Sequence, residues 1–120
     1  MAHILVVEDV AANRALASKL LRSAGHEVLL AETASQGVAL AEERLPDLVL
    51  MDLSLPDMDG REALDLLRRQ DRTAELQIVA FTAHAMRGDR STALAAGFDG
   101  YVSKPIDFAN FADTIDELLR

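Results

Sequence analysis

The chain contains no cysteine, so neither a disulfide framework nor a thiolate metal site can form. This absence is typical of proteins in a reducing compartment. No apolar run approaches the ~20 residues that cross a membrane. The N-terminus also lacks the charged start and apolar core of a signal peptide. We therefore expect a cytoplasmic protein with no membrane association.

Basic residues are in the minority, with 12 Lys and Arg against 20 Asp and Glu and a net charge of −8. Direct binding to nucleic acid requires clustered Lys and Arg against the phosphates, so we expect none. We attribute most of the acidic excess to solubility. Only acidic residues that converge on one site would indicate a cationic ligand or partner.

The length of 120 residues and the hydrophobic content of 50% predict one folded domain over residues 1–120. No linker, low-complexity tract or charge block divides the chain. Apolar, β-branched runs alternate with segments of helical periodicity. The predicted strands cover residues 4–7, 28–31, 48–51, 77–81 and 100–103, and three of the predicted helices cover 13–24, 60–69 and 86–96.

Two further helices carry specific packing predictions. Thr33 or Ser35 can cap the second helix. Its predicted inner face consists of Ala34, Val38, Ala41 and Leu45. The last helix is capped by Asp107, and its predicted apolar stripe consists of Phe108, Phe111, Ala112, Ile115, Leu118 and Leu119.

Five repeats of strand and helix predict an α/β protein with a parallel sheet and helices on both faces. Right-handed crossovers and five strands favour the flavodoxin-like (βα)5 arrangement with strand order 2-1-3-4-5.

Polar residues that could form a functional site follow four of the five predicted strands at the point where each of the four ends. Glu8 and Asp9 follow the first strand, Asp52 the third, Thr82 the fourth and Lys104 the fifth. The carboxyl ends of parallel strands meet at one edge, where α/β sheets bind their ligands. Three carboxylates at one site repel each other and need a cation. Because the set offers only oxygen ligands, Mg²⁺ is the expected metal.

The same residues predict a reaction. Lys104 can place a positive charge on a phosphate, and Thr82 can donate a hydroxyl hydrogen bond. Together with a nucleophilic carboxylate at Asp52, they suit phosphoryl transfer, in which positioning and charge neutralisation supply most of the catalysis.

The sequence resembles the receiver domains of two-component response regulators over essentially its whole length. The matching residues are Glu8-Asp9, Asp52 with Pro56 and Gly60 behind it, Thr82-Ala83, and Lys104-Pro105 preceded by Tyr101. The resemblance implies that Asp52 accepts a phosphoryl group from a phosphohistidine. The implied Mg²⁺ ligands are Glu8, Asp9, Asp52 and the carbonyl of Ser54. The implied contacts to the phosphoryl oxygens are Thr82, Lys104 and the amide of Ala83.

The resemblance also implies a switch. After phosphorylation the Thr82 hydroxyl moves toward the phosphoryl group, and the ring of Tyr101 turns into the space it leaves. The surface of the fourth helix, fifth strand and fifth helix then changes shape through a population shift. Ser54 and His84 are implied to tune the lifetime of the phosphoryl group, and the Lys104–Pro105 bond is expected to be cis.

The implied partners are a histidine kinase or a histidine phosphotransfer protein, or both, and a downstream target protein. The segment 10–12 and the first helix are candidate contacts for the phosphoryl donor. No output domain is recognised, and the expected state is a monomer or a weak, phosphorylation-linked dimer. The expected catalysis is confined to the protein's own phosphorylation and dephosphorylation. The chain could also be a receiver cut from a hybrid histidine kinase or a longer regulator.

Three other functions fit the sequence less well. An aspartate-nucleophile phosphatase usually carries an acid–base Asp two residues after the nucleophile, where this chain has Ser54. A flavin carrier needs a phosphate-binding loop after the first strand, where Glu8 and Asp9 would repel a phosphate. A pseudo-receiver would lack the acidic residues or the lysine. Asp57 and Asp59 are interpreted as turn residues before the third helix.

Overall fold

The computed structural model describes residues 2–82 and 89–119, without the side chains of residues 89 and 90. The strands are β1 (His3–Val7), β2 (Glu27–Ala31), β3 (Leu48–Asp52), β4 (Gln77–Thr82) and β5 (Gly100–Ser103). The helices are α1 (Ala11–Ser23), α2 (Ala34–Arg44), α3 (Gly60–Arg68), α4 (Asp89–Ala96) and α5 (Phe111–Leu119). Within these described ranges, no helix is long and apolar enough to cross a membrane.

The strands form one parallel sheet in the order β2-β1-β3-β4-β5, which confirms the predicted topology. Strands β1 and β3 lie side by side in the interior of the sheet, and β3 is buried along its whole length. Continuous apolar runs are what a parallel strand covered on both faces requires. All the strands point the same way, so their carboxyl ends meet at one edge.

Two apolar layers cover the sheet, one on each face. Alternate residues of β1 and β3 point into opposite layers: Leu5 and Val49 contact the layer formed with α2, α3 and α4, whereas Ile4 and Leu48 contact the layer formed with α1 and α5. Because both layers are apolar, residues 4–7 of β1 and 48–51 of β3 are all apolar although their side chains alternate in direction.

The second helix ends earlier than predicted. Leu45 follows α2 with a φ of 46°, and it is 41% exposed rather than part of the inner face. This left-handed conformation ends the helix and turns the side chain of Leu45 away from the core. Thr33, rather than Ser35, caps the helix, since its hydroxyl oxygen accepts a hydrogen bond from the Gln36 N–H at 3.1 Å.

The last helix begins later than predicted. It starts at Phe111, and Phe108 lies in the preceding turn, 71% exposed, so its assignment to the apolar stripe is wrong. The carboxylate of Asp107 accepts hydrogen bonds from the Ala109 N–H at 3.0 Å and the Asn110 amide at 2.8 Å. These local bonds compete with helix formation and hold residues 107–110 in a turn. The predicted start of the fourth helix at residue 86 lies outside the described residues.

Candidate functional site

Asp52 is the last residue of β3 and is 3% exposed. Its Oδ1 atom accepts a hydrogen bond from the Ser54 N–H at 2.9 Å, and its Oδ2 atom lies 3.1 Å from Lys104 Nζ. The buried strand fixes the backbone of Asp52, and these two contacts orient its carboxylate.

Three carboxylates converge at this edge of the sheet, as predicted. Glu8, Asp9 and Asp52 each offer one oxygen, and these oxygens lie within 4.8 Å of one another. Glu8 is fully buried, and its Oε2 atom accepts a hydrogen bond from the Val10 N–H at 3.0 Å, while Asp9 is exposed. A compact set of carboxylate oxygens, open to solvent on one side, fits a hard divalent cation that retains some of its waters.

Lys104 supplies the positive charge of the site. Its Nζ atom bridges Glu8 Oε1 and Asp52 Oδ2 and lies 4.7 Å from the centre of the Phe81 ring. Burial acts to lower the pKa of Lys104, but the hydrogen bond to Glu8 and the negative charge of Asp52 outweigh it and raise the pKa. Lys104 is therefore a fixed cation at neutral pH.

The pKa of Glu8 is also raised, and here burial is the largest cause of the rise. Burial raises the pKa of its carboxyl, and the negative charge of Asp52 adds to this, against the lowering effect of the hydrogen bonds from Lys104 and the Val10 N–H. The ionised form of Glu8 is therefore disfavoured by its surroundings, and a second cation at the site would stabilise it.

The fold and this charge arrangement agree with the comparisons to known proteins. The sequence profile of the family described as "Response regulator receiver domain" matches residues 4–116. The chain belongs to this receiver family. Its family role is that of a phosphoacceptor signalling module, and these matches do not favour a small-molecule phosphatase.

Individual relatives support this assignment. The polar-differentiation response regulator DivK of Brucella anthropi is 34% identical over 116 residues, which cover 97% of this chain and 94% of DivK. The receiver domain of sensor histidine kinase PA1611 from Pseudomonas aeruginosa is 36% identical, with a TM-score of 0.88 and coverage of 98% of this chain and 97% of that one. That structure contains a magnesium ion coordinated in its active-site cleft. A CheY-like receiver from Methanospirillum hungatei is 31% identical, with a TM-score of 0.87 and coverage of 99% of this chain and 94% of that one.

The other predicted residues that the structure describes lie on or directly after β3, β4 and β5. Thr82 is buried at the end of β4, and its carbonyl accepts a hydrogen bond from the Lys104 N–H at 2.8 Å. Tyr101 on β5 pairs with Ala80 in the sheet and is half-buried against the layer formed with α2, α3 and α4. The Lys104–Pro105 bond is cis, as expected from the resemblance. Ser54 is exposed, two residues beyond Asp52.

Two predicted residues, Ala83 and His84, lie outside the described residues. Their proposed contacts with the phosphoryl oxygens and with water remain predictions.

The structure adds one residue that the sequence reasoning missed. Arg14 on α1 donates from one guanidinium nitrogen to the carbonyls of Glu8 at 3.0 Å and Asp9 at 3.1 Å, and from another to Glu32 at 3.0 Å. It therefore holds the backbone of the acidic pair from the side of the helix. The available signal was a basic residue in the first turns of the helix that comes after the two acidic residues.

Proposed function

We propose that this protein accepts a phosphoryl group on Asp52 from a phosphohistidine in a Mg²⁺-dependent step. The observation that carries the proposal is the convergence of Glu8 and Asp9 on Asp52 while Lys104 contacts the Asp52 carboxylate. This arrangement combines a nucleophile, a set of cation ligands and a fixed positive charge at one edge of the sheet.

The transfer is a substitution at phosphorus. A carboxylate oxygen of Asp52 attacks the phosphorus, the P–N bond to the donor histidine breaks, and the electron pair returns to the imidazole, which takes up a proton. Glu8, Asp9, Asp52 and the carbonyl of Ser54 would hold Mg²⁺, which when bound neutralises charge on the carboxylates and the phosphoryl oxygens.

Lys104 and Thr82 act on the transferred group. Formation of the acyl phosphate removes the charge from the Asp52 carboxylate and brings the charged phosphoryl oxygens into the site. The ammonium group of Lys104 therefore gains a stronger partner further from the backbone of β3. The hydroxyl of Thr82 supplies a hydrogen bond to the same group.

The response is a population shift in the surface formed by α4, β5 and α5. Movement of the Thr82 side chain toward the phosphoryl group would leave space for the ring of Tyr101, which is half-buried on β5. The two states differ in their affinity for the phosphoryl group, and this difference drives the shift. A downstream target protein would bind one of them.

The only catalysis we propose is on the protein itself. In dephosphorylation, a water oxygen attacks the phosphorus, the P–O bond to Asp52 breaks, and the carboxylate is regenerated. Ser54 and His84 would set the access of that water. Measured dephosphorylation rates of Ser54→Ala and His84→Ala that both equal the wild-type rate would remove this role.

The phosphoryl donor, a histidine kinase or a histidine phosphotransfer protein, would dock beside the site. Val10 is 48% exposed and Phe108 71% exposed. They precede α1 and α5, two helices that pack on the same face of the sheet with their N-termini at the edge that carries Asp52. Two exposed apolar side chains flanking a charged site suit a protein partner. We place this exchange in the cytoplasm, with the receiver as a monomer or a weak phosphorylation-linked dimer.

A direct test uses acetyl phosphate as a small donor. The protein is incubated with acetyl phosphate, with Mg²⁺ or with EDTA, and its intact mass is measured. We expect one labile phosphoryl group with Mg²⁺ only, and none on Asp52→Ala. An unlabelled wild-type protein, or a label that persists in Asp52→Ala, would overturn the proposal.

A further inference from the structure

The loop that follows Asp52, residues 53–59, is attached at both ends. At its start, the Ser54 N–H donates to Asp52 Oδ1 at 2.9 Å. At its end, Asp59 pairs with Ser54 in an isolated antiparallel bridge and caps α3 by accepting a hydrogen bond from the Arg61 N–H at 2.8 Å. The loop that carries the Ser54 carbonyl therefore has a defined shape.

A third attachment joins the middle of the loop to another helix. Asp57 Oδ1 accepts a hydrogen bond from the Ala34 N–H at 2.9 Å, and Oδ2 accepts from the Ser35 N–H at 3.0 Å and the Ser35 hydroxyl at 2.8 Å. Hydrogen bonds from the backbone N–H groups of Ser35 and Ala34 lower the pKa of the Asp57 carboxyl, so they stabilise the carboxylate. Asp57 is more than a turn residue.

The first turn of α2 shows that this contact is separate from ordinary capping. The first N–H groups of a helix have no partner within the helix. The local cap, Thr33, already takes the Gln36 N–H. Asp57 takes the two N–H groups that Thr33 leaves, and it does so from a different part of the chain. The contact therefore joins two elements instead of completing one.

Helix α2 packs closely against β1, the strand that leads to the acidic pair. Its residues Ala34 and Ala41 are fully buried, and at Gly37 a Cβ atom would lie 2.6 Å from Val7 Cγ2. Val7 directly precedes Glu8. A loop fixed to α2 is thus fixed relative to the strand that carries the carboxylates on the other side of the site.

We propose that Asp57 is a positioning residue, which sets the Ser54 carbonyl against Glu8 and Asp9 by anchoring the loop to α2. This inference rests on the proposed Mg²⁺ site. A backbone carbonyl cannot be placed by its own side chain, so its position depends on how the loop is held. The affinity for Mg²⁺ then depends on Asp57, although Asp57 is not a ligand.

The test is a calorimetric Mg²⁺ titration of four proteins: wild type, Asp57→Ala, Asp57→Glu and Thr33→Ala. Loss of a residue that orients a ligand weakens metal binding on the order of 10-fold, which we expect for Asp57→Ala. Thr33→Ala removes the local cap of the same helix and leaves the loop anchored, so its affinity should equal that of wild type. Asp57→Glu keeps the charge but displaces the oxygens, so it should bind as weakly as Asp57→Ala.

The outcomes separate the inference from the proposed function. A wild-type protein that binds no Mg²⁺ contradicts the proposed function. A wild type that binds Mg²⁺ with the same affinity as Asp57→Ala contradicts the positioning role alone. Full affinity in Asp57→Glu would show that charge rather than geometry is responsible, and it would also overturn the inference.

Hydrogen exchange supplies a second readout that does not depend on the metal. Amides of residues 53–59 should exchange faster in Asp57→Ala than in Thr33→Ala, because only the first variant releases the loop. If Asp57→Ala does not fold, Asp57→Asn retains one acceptor oxygen and carries both measurements. Unchanged exchange in the loop of the folded variant would contradict the anchoring.

Discussion

Lys104 Nζ lies 3.1 Å from Asp52 Oδ2, so the carboxylate proposed to accept the phosphoryl group is already paired with a cation before any reaction. The same nitrogen contacts the fully buried Glu8. Three acidic groups can occupy this edge because Lys104 offsets part of their repulsion. The lysine therefore has a structural role in the resting state and a chemical role in the reaction.

The structural role predicts the behaviour of Lys104→Met without metal. Breaking a buried ion pair costs roughly 3–5 kcal/mol. Since the side chain of Lys104 keeps 12% of its exposure, we expect a smaller loss, about 2–3 kcal/mol of unfolding free energy in urea with EDTA. Added Mg²⁺ should restore part of it, because the metal replaces the missing charge.

Lys19→Met is the matched control, since Lys19 is exposed on α1. Its unfolding free energy should change by less than about 0.5 kcal/mol, and Mg²⁺ should not alter that difference. Equal stability losses in the two variants would contradict the structural role of Lys104.

Gly60 controls the approach of α3 to the acceptor strand. A Cβ atom at this position would lie 2.7 Å from the carbonyl oxygen of Asp52 and 2.9 Å from Leu53 Cα, so backbone atoms would have to move. Gly60→Ala should lower the unfolding free energy by about 1–3 kcal/mol and slow labelling by acetyl phosphate. Gly25→Ala is the control, because its Cβ meets nothing within 4 Å despite a φ of 94°. It should lose stability but keep the wild-type labelling rate.

Val10 and Phe108 mark the proposed docking surface for the phosphoryl donor. A substitution at Phe108 tests this surface separately from the chemistry. Because the exposed ring lies outside α5, Phe108→Ala should leave stability and labelling by acetyl phosphate unchanged. Transfer from a phosphorylated histidine phosphotransfer protein should slow about 10-fold, as expected when a partner loses an exposed aromatic anchor. Leu66→Ala, which removes an exposed apolar side chain from α3, should transfer at the wild-type rate. Equal rates for the two variants would place the docking surface elsewhere.

The lowered pKa of Asp57 predicts a pH-dependent contribution to stability. Hydrogen bonds from α2 hold the pKa below its ordinary value of 3.8, so the folded state binds a proton less readily than the unfolded state. The stabilisation is present above pH 3.8 and is lost as the pH falls through the lower, folded pKa. The stability difference between wild type and Asp57→Asn in urea should therefore shrink between about pH 6 and about pH 2. Asp71→Asn, at an exposed position, is the control for an Asp-to-Asn substitution on the surface, and a constant difference for Asp57→Asn would contradict the linkage.

Sequence reasoning succeeded where one strong pattern decides the structure. Buried β-branched runs and their alternation with helices determine the sheet order, and this order places Glu8, Asp52 and Lys104 at one edge. It failed where local hydrogen bonds compete with periodicity: Phe108 satisfies the helical spacing, but the turn held by Asp107 excludes it from α5.

The contact of Asp57 with α2 could not be predicted from the sequence for a different reason. It joins Asp57 to Ala34, 23 residues earlier in the chain, and no spacing in the sequence encodes such a pairing. Only the packing of α2 beside the loop brings Asp57 and Ala34 together. From the sequence, Asp57 could therefore be assigned only as a turn residue.

The most direct test of Asp52 as the phosphoryl acceptor is to locate the phosphoryl group chemically. After reaction with acetyl phosphate and Mg²⁺, borohydride reduces an aspartyl phosphate to homoserine, and peptide mass spectrometry finds the converted residue. We predict conversion of Asp52 and of no other aspartate, with none in EDTA. Conversion at Asp9 or Asp59, or a stable phosphate on Ser54, would contradict it.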